Sequence, residues 1–291
     1  MSRGRQASAG FSLIELVVVI TLSAIVAVFM VFFLTTPVES YFAQTRRADL
    51  VDSADRILRS IRTDVRSALP NSVRQSAGGG VLALELLSTN GVARYYGPGD
   101  KQYLGGAQQL TEELAIGSAD QSFYTLGLFS PSNAGSYLAI DNQVPPLAYA
   151  SGAGVMTPPG TAFTIAAVGA TAEDHVQFTA APGMNFGTPS PTHSVFLVSG
   201  PVSYLCDTNA QTLERYSGYA PAAAQPTTNA QLLAAGATAS MIAQNVSACT
   251  VTLVAAPVSG KFNQLVILNI TLSNSGELLQ VFHEIGTGYL P

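Results

Sequence analysis

Between Phe11 and Leu34 the sequence reads FSLIELVVVITLSAIVAVFMVFFL and carries a single charge, Glu15. From Leu16 to Leu34 the residues are uncharged and mostly apolar, and at about 1.5 Å rise per residue they reach roughly 28 Å, close to the ~30 Å hydrocarbon thickness of a bilayer. A helix with no polar face fits one membrane crossing. Arg3 and Arg5 precede it, so the positive-inside bias leaves the leader in the cytoplasm and sends the residues after Leu34 to the far side. A cleaved secretory signal fits less well, because such signals have apolar cores of about 7–15 residues followed by small residues at a set spacing. Here the run is longer, and Val38 and Ser40 make a poor site. A plain signal anchor accounts for the length but not for Glu15. An acidic side chain in a membrane helix costs about 2.5–3.5 kcal/mol at the centre and less near the interface, so a carboxylate placed there calls for a partner.

The string Gly10-Phe11-Ser12-Leu13-Ile14-Glu15 ahead of an apolar helix resembles the class III signal of type IV prepilins and type II secretion pseudopilins. The resemblance implies that prepilin peptidase cuts between Gly10 and Phe11 on the cytoplasmic side and that the new amino terminus, Phe11, is N-methylated. Glu15 then becomes the fifth mature residue. A buried carboxylate needs a cation, and the ammonium created on Phe11 of one subunit can meet Glu15 of its neighbour as helices bundle, which would set the axial register. Ser12 stands where the family most often has Thr.

The helical pattern continues past the membrane segment. Pro37 predicts a bend, since proline removes an N–H donor and crowds the preceding turn. Leu50, Ala54, Ile57, Leu58, Ile61, Val65 and Ala68 recur at spacings of three and four and form one apolar stripe. Asp52, Asp55, Arg56, Arg59, Arg62 and Arg66 lie opposite, with Asp52→Arg56 and Asp55→Arg59 at the i, i+4 spacing that supports a helix. A solvated face accounts for these charges. Leu69-Pro70-Asn71 predicts the helix end.

From Gly78-Gly79-Gly80 onward the period changes. Short β-leaning runs lie between turn residues: 81–87, 92–96, 123–129, 136–140, 163–168, 175–178, 195–198, 202–205, 250–255, 264–272 and 278–284. They predict a mostly antiparallel sheet able to cover the helix stripe. Residues 141–162 and 217–230 read as long loops, and Ala230–Ala243 as a short helix weakened by Gly236. The expected fold is α+β and type IV pilin-like: a long kinked N-terminal helix, first membrane-spanning and then amphipathic, packed on a β-rich head. The expected organisation is a leader at 1–10, a transmembrane helix at 11–36, an amphipathic helix at 37–70 and a globular head at 71–291.

Charge separates the two parts. Residues 1–74 hold 9 basic and 6 acidic groups, while residues 75–291 hold 4 and 12, about −8 for the head. That balance argues against nucleic acid as a partner, because phosphate binding needs clustered Lys and Arg.

The stretches ADLVDSADRILRSIRTDVRSALPNSVR, VFLVSGPVSYLCD, LERYSGY, NVSACTVTL and LLQVFHEIGTGYLP resemble the large minor pilins of the mannose-sensitive haemagglutinin (MSHA) pilus, the MshO type. J-type pseudopilins of type II secretion share the same layout and stand as the alternative; a tip adhesin is a further one. The resemblance implies a structural or priming subunit of pilus assembly, not an enzyme. It lies in the bacterial inner membrane with the head in the periplasm, or in a surface pilus tip. Implied partners are prepilin peptidase, other minor pilins, the major pilin, the inner-membrane assembly platform and the lipid bilayer. Cys206 and Cys249 fall inside the matching blocks, and two cysteines in an exported part suit a disulfide in an oxidising periplasm; two buried free thiols are the alternative.

Catalytic, cofactor-binding and metal residues are not expected. His175, His193 and His283 are scattered, and neither HExxH nor GxSxG occurs. Glu173-Asp174-His175 could hold a weak cation, although a short acidic run is more often solvent-facing. Gly97-Pro98-Gly99-Asp100 reads as a turn rather than a phosphate loop.

Overall fold

A computed structural model describes Gly10 and residues 12–97, 100, 102–104, 107–109, 112–126, 129, 137–140, 142, 147–150, 152–168, 173–258 and 261–287. The leader residues 1–9 and Phe11 lie outside the described residues. The chain divides into two compact units, Met1–Asp49 and Leu50–Pro291.

Helix α1 spans Leu13–Arg66, and helical geometry continues through Pro37. Within the second unit its apolar stripe is buried as the spacing predicts: Leu50, Ala54, Ile57, Ile61 and Val65 face the core, with Leu58 half-buried at its margin. Asp55 and Arg59 form the expected i, i+4 ion pair, whereas Arg56 donates to Ser53 Oγ at 3.0 Å. The helix ends three residues before the predicted Leu69. The chain there leaves helical geometry to join a sheet: Ala68 bridges to Ser88, and the Leu69 N–H donates to the Leu87 carbonyl at 2.7 Å.

The strands are β1 (Arg74–Gly78), β2 (Val81–Tyr95), β3 (Gln102–Leu104), β4 (Ala107–Gln109), β5 (Ser122–Leu126), β6 (Tyr137–Ile140), β7 (Phe163–Ala167), β8 (Glu173–Phe178), β9 (Ser194–Asp207), β10 (Thr212–Ser217), β11 (Thr238–Gln244), β12 (Val246–Val258), β13 (Lys261–Asn274) and β14 (Glu277–Gly286). A short helix, α2 (Asn229–Ala234), precedes β11. Every pairing between these strands is antiparallel, in an α+β arrangement consistent with the type IV pilin-like fold. Nine strands form one sheet in the order β11-β10-β9-β2-β5-β8-β7, with β1 on the outer side of β2 and β6 on β9; β12-β13-β14 form a second sheet, and β3 pairs with β4.

The long pair β2 and β9 is the spine of the large sheet. One of its ends carries β1, β10 and β11, the other β5 to β8. Each end has its own core. At the first, α1 and the inner face of β12–β14 cover Leu84, Leu86, Val202 and Tyr204. At the second, Tyr95, Phe123, Phe178, Phe186, Val195 and Leu197 pack without the helix.

Several sequence boundaries are corrected. The runs at 81–87 and 92–96 are one strand, as are those at 195–198 and 202–205. Register shifts at Ser88/Thr89 and Thr89/Gly91 let β2 follow β9 past Gly200 and Pro201. The helix expected at Ala230–Ala243 stops at Ala234. Thr228 caps its start by accepting from the Gln231 N–H, and Gly236 at φ 86° turns the chain into β11, which pairs with β10. Strands β1, β10 and β11 carry too few β-branched or aromatic residues in alternation to stand out in the sequence.

Candidate processing and assembly site

The candidate segment opens at Gly10, which is exposed, and a side-chain carbon built there meets nothing within 4 Å. Phe11, the expected cleavage and methylation residue, lies outside the described residues. The Ser12 carbonyl accepts from the Leu16 N–H at 3.2 Å, so helical bonding begins at once. This places Glu15 in the first turn of α1, where the uncapped N–H groups and the helix dipole favour a negative charge. The side chain is exposed. A carboxylate at this end can therefore wait for an external cation at lower cost than one in mid-helix.

After Glu15 the surface is apolar on every side. Leu13–Val31 has a mean hydropathy of 2.8, and none of it is buried within the chain. Leu13, Ile14, Phe29 and Phe33 are all more than two-thirds exposed. A helix in this state needs lipid or other apolar helices around it, because water would meet unshielded Val, Ile, Leu and Phe along its whole length.

At the other end of α1, one polar cluster fixes the helix to the large sheet. Asp64, 9 % exposed, accepts from Tyr204 Oη at 2.5 Å and from Arg215 Nε at 2.7 Å, and Ser60 Oγ lies 2.7 Å from the same tyrosine oxygen. Burial and the facing Asp64 carboxylate push the Tyr204 hydroxyl well above its ordinary value, so it stays a donor. The Asp64 hydrogen bond likewise raises Arg215. Sequence reading missed Asp64, although its place seven residues after Ile57 and three after Ile61 sets it beside the apolar stripe, away from the other charges; its partners lie 140 and 151 residues away.

Cys206 on β9 and Cys249 on β12 are joined by a disulfide that ties the two sheets together. Closing a separation of 43 residues contributes about 4 kcal/mol in the chain-entropy model. We expect non-reducing peptide mapping of the full-length protein to yield a Cys206–Cys249 peptide, and reduction to lower unfolding stability by about that amount. Two freely alkylated thiols would reject the bridge.

Of the residues weighed for chemistry, His283 lies on β14 apart from the others, and His175, His193, Glu173, Asp174 and Asp100 are held in structural contacts. His175 stacks on Tyr124 with ring centroids 4.6 Å apart and lies 3.3 Å from Glu112. His193 stacks on Tyr95 at 5.2 Å and lies 3.3 Å from Asp100. Glu173 and Asp174 are buried, contrary to the expected solvent-facing run. Glu173 accepts from Tyr96 Oη at 2.6 Å, and Asp174 from the Phe129 N–H at 2.7 Å. Asp100 closes a turn by accepting from the Gly97 N–H at 2.8 Å; Pro98 and Gly99 lie outside the described residues. Among the described residues, no three His, Cys, Asp or Glu side chains gather as a metal site would require.

Residues 5–31 match the family model described as the prokaryotic N-terminal methylation motif. The match supports a type IV prepilin-like protein. It covers Gly10, Phe11 and Glu15 together with the apolar start of α1, the same residues that stand out by chemistry. Proteins with this amino terminus are generally structural rather than enzymatic, undergo processing by prepilin peptidase and assemble with other pilins; the apolar helix suits a single-pass anchor. No curated protein and no solved structure matches the chain.

Proposed function

We propose that this chain is a minor pilin that primes assembly of an MSHA-like type IV pilus. Prepilin peptidase removes residues 1–10, Phe11 is methylated, and Glu15 sets the axial position of the helix among other pilins. In this reading the head lies in the periplasm of a bacterium and α1 anchors it in the inner membrane until the subunit enters a pilus tip. The single observation that carries the proposal is the methylation motif at residues 5–31, with Glu15 in the first turn of a helix that is exposed and apolar on every side. Head size favours a terminal place over a repeating one. Residues 75–291 are bulky for a domain that must recur at each step of a thin fibre.

Glu15→Ala tests the assembly step. The substitution removes a costly charge, so membrane insertion and cleavage should proceed as before, while incorporation into fibres or into complexes with other pilins should fall at least about tenfold, as for an unpaired ammonium left in an apolar bundle. Quantitative proteomics of sheared fibres measures this. Unchanged incorporation would remove Glu15 from the mechanism. Wild-type protein present in amounts comparable to a major subunit would overturn the priming role.

A further inference from the structure

Strand β14 ends the three-stranded sheet. It pairs with β13 along one side and, among the described residues, with no strand along the other. Its core-facing side chains include Val281 and Ile285, both buried. Its outer face carries Leu278 and Phe282, 73 % and 63 % exposed, the two most exposed large apolar side chains described in the second unit. Phe282 lies opposite Asn269 of β13, and Ile267 of the same strand is its diagonal neighbour. An exposed strand edge is normally blunted by lysine, proline or a bulge. The β14 sequence ELLQVFHEIG has no lysine and no proline, and its pairing with β13 runs without a bulge.

This edge is complementary to itself. If a second copy of β14 lies antiparallel with a two-fold axis through Gln280, Leu278 of each copy falls opposite Phe282 of the other. Leu279 falls opposite Val281, and Glu277 opposite His283. The remaining charge, Glu284, meets Gly276, so no like charges oppose each other. Two of these cross-strand pairs therefore join apolar with apolar and one joins acid with base. Other registers lose this. A slide by two residues in one direction sets Leu278 against Glu284, and in the other against Gln280. A slip by one residue puts the core face of one strand against the outer face of its partner. Because the axis passes through a residue, either alternation of free N–H and C=O groups allows roughly eight interstrand hydrogen bonds. The edge of the large sheet at β11, with the sequence TASMIAQ, has no charge to select a register.

We propose that β14 pairs with β14 of a second copy of this chain, about a two-fold axis through Gln280, to make one six-stranded sheet from two heads. The pair is closed, since each copy uses up its own β14 edge, and it does not propagate into a fibre. It stands independently of the assembly reading above, because it uses only residues of the head.

The test uses the full chain purified in detergent. Sedimentation equilibrium at about 100 μM should find a dimer, and Phe282→Lys should weaken it about a hundredfold, since two Phe282–Leu278 contacts are lost per dimer, while leaving the circular dichroism spectrum unchanged. Register is read by disulfide trapping. The native cysteines are paired, so Gln280→Cys supplies one free thiol beside the axis and should give a covalent dimer on oxidation. Leu278→Cys alone should not, but mixed with Phe282→Cys it should. A monomeric wild-type chain, a dimer indifferent to Phe282→Lys, a Gln280→Cys thiol that forms no covalent dimer, or Leu278→Cys trapping as efficiently alone as in the mixture would each overturn the proposal. The N-terminal mass of Phe282→Lys is unaffected by any of these outcomes, so the self-pairing edge can fail while the processing reading stands.

Discussion

A chain carrying Gly10→Val is expected to keep all 291 residues, uncut and unmethylated, where the proposed processing would shorten the wild type to 281. The physical basis is the fit required of a peptidase at the residue before the cut. Glycine lets the enzyme's own backbone close on the chain, and a branched side chain would hold the scissile bond away from the catalytic groups; a misplacement of about 1 Å costs roughly 100-fold in rate. The substitution is a clean one. A side-chain carbon at Gly10 meets nothing within 4 Å, so slower processing cannot come from disturbing the chain's own fold. Mass spectrometry of membrane-extracted protein reads the result directly. Cleavage of Gly10→Val at the wild-type rate, or a wild-type chain that begins anywhere other than at an N-methylated Phe11, would refute the proposed processing.

The second large effect is expected at Arg74. Its Nε donates to Glu85 Oε2 at 2.5 Å, its two terminal nitrogens to the carbonyls of Ala223 and Ala222 at 2.7 and 2.8 Å, and its guanidinium carbon lies 3.7 Å from the centre of the Tyr149 ring. Glu85 is fully buried and also accepts from Tyr219 Oη at 2.8 Å. Burial holds the Glu85 carboxyl above its ordinary 4.5, and the hydrogen bond and charge of Arg74 offset that only in part. A carboxyl raised in the fold binds its proton more tightly there than in the unfolded chain. Its contribution to stability is therefore present below about pH 4.5 and is lost as pH rises through the raised value. Arg74→Met removes the main influence holding that value down, so the loss extends to higher pH. The variant should be modestly destabilised near pH 4, through its loop contacts and ring stacking, and by about 3–5 kcal/mol near pH 8, where an unpaired carboxylate must be buried. Urea unfolding at both pH values measures the difference, and a penalty independent of pH would reject this account.

The parts of the molecule written in local order were legible before the structure. The amphipathic part of α1 is an example, because a 3.6-residue period over Leu50–Val65 leaves few ways to bury those side chains. The processing motif is another, since Gly10, Phe11 and Glu15 lie within six residues and no folding is needed to bring them together. What escaped was settled at long range. Asp64 sits beside the apolar stripe of α1, yet what it pairs with is decided only when Tyr204 and Arg215 arrive from strands far along the chain. The alanine-rich run at 230–243 favours a helix by local propensity. Pairing with β10 overrides that preference for its second half, because seven residues of β11 gain a partner strand that a short exposed helix lacks. Gly200-Pro201 reads as a break, yet β9 runs through it with Pro201 opposite Leu87, as β2 absorbs the irregularity next door.

The two separate cores on the β2–β9 spine divide the head into a part that must stay constant and a part that is free to vary. Everything that grips α1, from Ile57 to the Asp64 cluster and the disulfide, belongs to the first core. The second is assembled from Phe123, Phe178, Phe186 and their neighbours with no helical residue among them. Enlarging a loop or exchanging a surface on β5, β7 or β8 perturbs packing that shares no side chain with the core under α1. One end can thus conserve the fit to a common apparatus while the other drifts toward new encounters, much as an interchangeable tool head is carried on a fixed handle.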